Sequence, residues 1–370
     1  MKQAIILESK GLAGGACESV RLLIQNLGHK TDLIVPALNA DYNTKRMLKS
    51  FYGDNVGSVY EFNLPYSVEY TEGIENYDIE IIKMQYYLFR KNKKDLYSFL
   101  EKQKYDHIHL NGFGLYPVLN KKFPMTLHVR QDFCGNLLHK WKVSKYLKQA
   151  KALIFIDTAT QSPFIGMNIN NIVLPNPVDQ TKVNSIRTDD VYNDMGIDKK
   201  DIVFTVAGNL SELKGQEFLI NVFNSFNKYP YKLLIAGDGE EECRKKYTYL
   251  AKDNKNILFL GQISREQMYR VYSITDYVIR AEAFFGVGRT ALEGLYSGCG
   301  LVIQGSQEEL KQVIGNEFIN NSYSYVPRNK ASLIDVLTKI NGKKILNKNA
   351  VSTACEYGKE FNSYINKILN

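Results

Sequence analysis

The sequence predicts an α/β protein of two doubly wound, Rossmann-like domains, and three observations predict it. The chain has 370 residues, more than one hydrophobic core commonly serves. Short apolar runs of strand length alternate with segments of helical period. Glycine-rich turns recur where a strand hands over to a helix, the pattern of parallel sheets covered by helices. The hydrophobic content of 44% and charged content of 23% are those of a globular protein able to build a large core.

The first domain opens with the apolar run QAIILE (3–8), the loop SKGLAGGA, and a segment placing Ala16, Val20, Leu23, Ile24 and Leu27 on one helical face, closed by Gly28. TDLIVP (31–36) is the next strand. Gly14 and Gly15 therefore stand at a helix mouth beyond a strand end, where parallel sheets bind ligands; they fit either a ligand loop or a mere turn. Residues 40–100 are rich in Tyr and Asn without a clean period, and yield only a strand at 57–62 and a helix near 80–102. YDHIHLNGFGLYP (105–117), MTLHVRQDFCGN (125–136), KALIFID (151–157) and NIVLPNPVD (171–179) each supply a further strand.

A second series begins at 201: strand DIVFTVAGN, helix KGQEFLINVFNSF, strand YKLLIAG, a helix from about 240, strand NILFLG, and a helix opened by the capping box Ser264-x-x-Gln267. The boundaries expected are 1–172 for the first domain, joined by a returning helix near 356–370, and 173–355 for the second.

The second domain centres on TDYVIRAEAFFGVGRTALEGLYSGCGLVIQG (275–305), read as strand, glycine turn, helix, turn, strand. Gly286 and Gly288, with Val287 between them, strip bulk from the mouth of a helix running from Arg289 to about Ser297. Helix N-termini attract anions, and Arg289 with Thr290 in the first turn suits a phosphate. Glu293, one turn on, would be repelled by a phosphate unless it bonds neutral donors such as paired sugar hydroxyls. The stretch fits a sugar nucleotide, although glycine turns also precede helices that bind nothing. Between Gly208 and Gly215 a similar loop places Lys214 toward the same point.

Composition narrows the remaining classes. No run approaches the roughly 18 apolar residues of a membrane span, and the start KQAIILESKG is too short and acid-flanked for a secretory signal, so a cytoplasmic location is expected. Cys17, Cys134, Cys243, Cys299 and Cys355 form no Cys-x-x-Cys pair; reduced, mostly buried thiols are expected, with neither a disulfide frame nor a zinc site. The net charge is +8, with basic clusters at Arg90–Lys94 and among Lys140, Lys142, Lys145 and Lys148, where Trp141 and Tyr146 accompany them. Such a face suits either an anionic membrane surface or plain solvent. Nucleic acid is disfavoured because no binding module accompanies the charge.

Together these segments resemble the retaining GT-B glycosyltransferases of the large group 1 family. The likeness rests on GGACESVRLLIQNLGH (14–29), YDHIHLN (105–111), TLHV (126–129), VLPNPVD (173–179), VAGNLSELKGQEFLI (206–220), LLIAGDGEE (233–241), ILFLGQISREQM (257–268) and FGVGRTALEGLYSGCGLVI (285–303). The resemblance implies two Rossmann-like domains facing a cleft, a C-terminal helix crossing back to the first, and transfer of a hexose from a nucleotide sugar, UDP-sugar favoured. The acceptor would be a hydroxyl on a glycan, lipid-linked intermediate or protein, in cell-envelope or surface glycan assembly. It implies Lys214 on the donor diphosphate, Glu293 on the ribose, Gly14 and Gly15 beside the phosphates, and His128 near the donor sugar. Neither a cofactor nor a metal is implied, and no Asp-x-Asp pair occurs.

The chain also departs from the family pattern. Asn209 stands at the position of the diphosphate-binding arginine and Phe285 at the first glutamate of Glu-x7-Glu. Arg289 could supply the missing charge, and Glu282 could reach the sugar in place of Phe285. Asn111 and Val129 replace a histidine and an aspartate near the first-domain site. The alternatives are a non-catalytic GT-B-like subunit that binds a partner transferase or glycan, and a GT-B-fold sugar-nucleotide epimerase.

Overall fold

The computed structural model describes residues 1–8, 15–37, 43–65, 69–71, 74–76, 79–131, 133, 137–226, 229–282, 286–314, 316–340 and 349–369. It divides into two compact units, Met1–Pro177 with Thr353–Asn370, and Val178–Ser352.

The first unit runs β1 (Gln3–Leu7), α1 (Gly15–Asn26), β2 (Thr31–Pro36), α2 (Asn43–Tyr52), β3 (Val56–Phe62), a hairpin of β4 (Glu69–Thr71) and β5 (Ile74–Asn76), α3 (Ile79–Gln103), β6 (His107–Asn111), β7 (Met125–Val129), α4 (Leu137–Leu147), β8 (Ala152–Phe155), α5 (Thr158–Gln161) and β9 (Asn170–Val173). Seven strands form one sheet in the order β3-β2-β1-β6-β7-β8-β9, every pair parallel. Covered on both faces, the central strands are continuous apolar runs: all five residues of β1 are buried.

The second unit runs α6 (Thr188–Met195), β10 (Ile202–Ala207), α7 (Gln216–Phe223), β11 (Tyr231–Ala236), α8 (Glu241–Ala251), β12 (Ile257–Gly261), α9 (Arg265–Ile274), β13 (Tyr277–Ile279), α10 (Arg289–Tyr296), β14 (Gly300–Gln304), α11 (Gln307–Val313), α12 (Asn316–Ile319), β15 (Ser322–Tyr325) and α13 (Lys330–Lys339). Its six strands are parallel in the order β12-β11-β10-β13-β14-β15. Ser264 and Gln267 form the capping box expected for α9.

Both orders reverse beside the first strand of the unit, between β1 and β6 and between β10 and β13. Ligands of open parallel sheets bind at such a switch point, beyond the carboxyl ends of the strands, because the flanking loops part there in opposite directions.

The last helix, α14 (Ala354–Leu369), belongs to the first unit. Tyr357, Phe361 and Ile365, spaced four apart, are buried in one cluster with Val20, Leu23, Ile24 and Leu27 of α1 and its end. Each of these side chains contributes about 1.5–3 kcal/mol by burial, enough to hold the helix on this unit.

The structure differs from the sequence reading where periodicity is thin. Between 40 and 100 it adds α2, whose inner face rests on two buried side chains, Leu48 and Tyr52, and the hairpin β4–β5. Burial of the cysteines is less general than expected: Cys17 and Cys299 are buried, Cys243 is half-buried and Cys355 is exposed, while Cys134 lies outside the described residues. Among the described residues no helix is long and apolar enough to cross a membrane.

Candidate functional site

In the second unit the loop after β10 and the segment after β13 meet through ionic bonds. The first loop is shaped by Gln216, whose amide donates to the Asn209 carbonyl at 3.0 Å and whose Oε1 accepts from the Ser211 N–H at 3.4 Å. A short 3-10 turn, Glu212–Lys214, then ends on Gly215. Gly215 has φ +72, and a β-carbon there would stand 2.0 Å from the Ala281 carbonyl oxygen, so only glycine lets the loop close on the other segment. That approach delivers the Lys214 Nζ to Glu282 Oε1 at 2.6 Å.

Glu282 is nearly buried, its side chain 9% exposed, and its second oxygen accepts from Arg280 Nη2. Burial would raise the carboxyl, but Arg280 and then Lys214 outweigh it and hold Glu282 below its ordinary pKa. Arg280 in turn lies under the glycine turn: a β-carbon on Gly288 would come within 2.3 Å of its Nη1. Tyr325 OH donates to the Arg280 carbonyl at 2.7 Å and fixes the strand end. Lys214, Glu282, Arg280 and Gly288 thus form one continuous line from the first loop to the mouth of α10.

Gly288 is the N-cap of α10 and offers no side chain to its amides. Val287 packs against the core beneath. Arg289, the expected phosphate cation, lies back along the helix, its Nε donating to Glu293 Oε1 at 2.8 Å. Arg265 Nη2 reaches the same oxygen at 3.5 Å and Tyr272 OH reaches Glu293 Oε2 at 3.5 Å. The one hydroxyl proton of Tyr272 goes either to that carboxylate or to the Thr290 carbonyl at 3.2 Å, and the phenol is held well above its ordinary pKa, by burial first and then by Glu293. Glu293 is therefore a fixed acceptor, not a mobile one. Phe285 lies outside the described residues, and Asn209 is exposed in its loop.

The first unit has its own polar set at the β1/β6 switch point. Arg130, just past β7, donates from Nε to Asn111 Oδ1 at 2.6 Å, from Nη1 to Asn176 Oδ1, and from Nη2 to His128 Nδ1 at 3.2 Å. Ser19 donates to the same Asn176 oxygen at 3.1 Å or to the Gly15 carbonyl at 2.9 Å, bringing in the start of α1. A guanidinium only donates, so His128 Nδ1 is an acceptor and the imidazole proton sits on Nε2. His128 is fully buried, and burial first, then Arg130 and His109, hold its pKa well below the ordinary value. Next to this set, Gln131 donates to Glu8 Oε1 at 2.6 Å. Gly14 lies outside the described residues.

Arg280, Gln216 and Arg130 carry much of this geometry and were missed by sequence reasoning. A signal existed for Arg280 and Arg130: each is a charged residue directly after a buried strand, a costly place unless the charge has a use or a partner. Among the described residues no group of three or more His, Cys, Asp or Glu is placed to hold a metal ion.

Residues 189–356, which take in most of the second unit, match the family described as Glycosyl transferases group 1. The chain is similar to the uncharacterized glycosyltransferase MJ1607 of Methanocaldococcus jannaschii, with 28% identity over 194 residues, 52% of this chain and 47% of that protein. The match thus spans about half the length of that curated relative.

Among solved structures, the chain is similar to a glycosyltransferase from Rickettsia africae ESF-5 with TM-score 0.71 and 13% identity, over 100% of this chain and 99% of that one. Anabaena Alr3699/HepE in complex with UDP and glucose gives TM-score 0.65 and 16% identity, over 100% and 97%. Sucrose-phosphate synthase from Thermosynechococcus elongatus gives 0.67 and 14%, over 100% and 95%. At these identities the likeness establishes the fold: two Rossmann-like domains of the GT-B type.

Proposed function

We propose that the protein is a retaining glycosyltransferase that moves a hexose-type sugar from a nucleoside diphosphate sugar, UDP-sugar favoured, to a hydroxyl acceptor in cell-envelope or surface glycan assembly. The observation that carries this reading is the line of Lys214, Glu282 and Arg280 leading to the mouth of α10. It stands at the switch point of the unit in which most of the match to the group 1 family falls. The UDP bound by the structurally similar Anabaena protein supports the choice of base.

In this reading the second unit binds the donor and the first the acceptor. Lys214 and the α10 amides stabilise the charge that develops on the leaving diphosphate, and Glu293, immobilised by Arg289 and Tyr272, accepts from the ribose hydroxyls. No metal is needed to offset that charge. A donor phosphate oxygen takes the acceptor proton as the hydroxyl attacks on the face the diphosphate leaves. His128, neutral and fixed in one tautomer by Arg130, belongs to the sugar-contacting set of the first unit.

The same reading places the protein at the inner face of an anionic membrane through α4. Leu137, Leu138 and Trp141 are 85%, 60% and 56% exposed on that helix. Lys142, Lys145 and Lys148 are exposed beside them, with the Lys145 ammonium 3.5 Å from the Trp141 ring centroid. Tyr146 does not belong to this face, because its ring packs edge-on against Tyr116 at 5.4 Å.

Proton NMR of the purified chain with UDP-glucose, UDP-galactose or UDP-N-acetylglucosamine and a glycan acceptor tests the function. A product glycoside with the anomeric configuration of the donor, formed equally in EDTA, is the expected result. Inversion refutes the mechanism, a 2-epimer of the donor identifies an epimerase, and binding without turnover identifies a non-catalytic subunit.

A further inference from the structure

We infer that Arg280 and Lys214 together form the diphosphate clamp, and that Glu282 is its exchangeable internal counter-ion, holding the anion position until a nucleoside diphosphate displaces it. This rests on the donor-site reading above and assigns Arg280 to the positive charge missing at Asn209 and Glu282 to the carboxylate missing at Phe285.

Geometry supports each role. Arg280 is a fixed charge: its side chain is 10% exposed and fills the space under Gly288. Lys214 is the movable arm, its side chain 40% exposed on a short turn. Two cations share one carboxylate, and among the described residues the three make no other ion pair, so the set carries one net positive charge. A single carboxylate is a weaker counter-ion for two cations than a diphosphate with two or more negative charges. Burial penalises Glu282 in its charged form, and these two cations hold it there. Once phosphate oxygens take over Lys214 and Arg280, that compensation is divided, and the carboxylate is released toward solvent and sugar hydroxyls.

Arg289 has no such freedom, because Glu293 holds it along α10. The clamp therefore draws on the residue before the glycine turn and not on the one after it.

Calorimetric titration of the full chain with UDP and with uridine tests this, using wild type, Glu282→Gln and Arg280→Met. Glu282→Gln keeps the shape but removes the competing charge, so UDP should bind at least threefold more tightly while uridine is unchanged. Arg280→Met should weaken UDP at least tenfold and leave uridine unchanged. The glutamine variant keeps the test independent of whether the methionine variant folds, since non-specific damage weakens binding whereas the expected change strengthens it. Equal or weaker UDP binding by Glu282→Gln overturns the inference while leaving the donor site intact. If wild type binds none of UDP, GDP and ADP, the donor-site reading falls and this inference with it.

Discussion

Arg289 Nε donates to Glu293 Oε1 at 2.8 Å, and this bond fixes both side chains along α10, with their exposures reduced to 10% and 14%. Glu293→Gln should therefore act twice. Losing the charged acceptor of Arg289 and Arg265 costs about 1.5–3 kcal/mol of stability, and losing the charged acceptor for the ribose weakens the donor by a similar amount. Urea denaturation and donor titration read the two effects separately; unchanged donor affinity in a folded variant removes Glu293 from the site. Arg289→Ala should weaken nucleoside and nucleoside diphosphate alike, because it acts through Glu293.

Gly215→Ala is expected to destabilise the second unit by more than about 1 kcal/mol from backbone strain alone, and by more again as the loop is forced off Ala281. The Lys214–Glu282 bond lies directly across that closure. Donor affinity should fall with stability. A variant that melts like wild type contradicts the close approach of the two segments.

The first unit should lose stability in acid. His107, His109 and His128 are buried, and burial is the leading cause of their lowered pKa, to about 3 for His107 and well below the ordinary value for the other two. Their unfolded pKa is near 6.5, so above that value the native state has no proton deficit and their contribution to stability is complete. Below it the unfolded chain binds protons the native state refuses, and stability falls by up to about 1.4 kcal/mol per pH unit for each histidine. For His107 the loss continues to about pH 3. Trp141, the one tryptophan of the chain, lies in this unit and reports its unfolding by fluorescence. A midpoint unchanged between pH 7.5 and 5 contradicts the buried neutral histidines.

Co-sedimentation with vesicles checks the membrane face. Binding should rise with phosphatidylserine content and fall with salt. It should weaken by about 1 kcal/mol per lysine when Lys142, Lys145 and Lys148 are changed to Ser. Trp141 emission should shift to the blue on binding. Binding indifferent to charge and to these changes favours a soluble acceptor.

Much of this architecture was legible because fully buried parallel strands are written as uninterrupted apolar runs and their helices by period and caps. Ser264 with Gln267 and the Gly28 terminus are local signals that survive folding intact. What escaped was decided at a distance. Arg289 sits where a phosphate ligand belongs in the sequence, yet its partner one turn on claims it. Arg280 follows directly on a strand, and only its folded contacts with Glu282 and beneath Gly288 give it a place in the site. Arg130 likewise acquires its role from Asn111 and Asn176, 19 and 46 residues away.

If the second unit binds a nucleoside diphosphate sugar through its diphosphate, removing one cation of the site should separate diphosphate ligands from the bare nucleoside. Titration calorimetry of wild type and Lys214→Ala with UDP-glucose, UDP and uridine measures this most directly, with GDP- and ADP-glucose as alternative bases. Saturable wild-type binding is expected, with Lys214→Ala weakening both UDP and UDP-glucose about tenfold or more, as for losing a charge-assisted bond of about 1.5–3 kcal/mol, while uridine is unaffected. Equal weakening of all three ligands, or no binding of any nucleoside diphosphate by the wild-type chain, contradicts it.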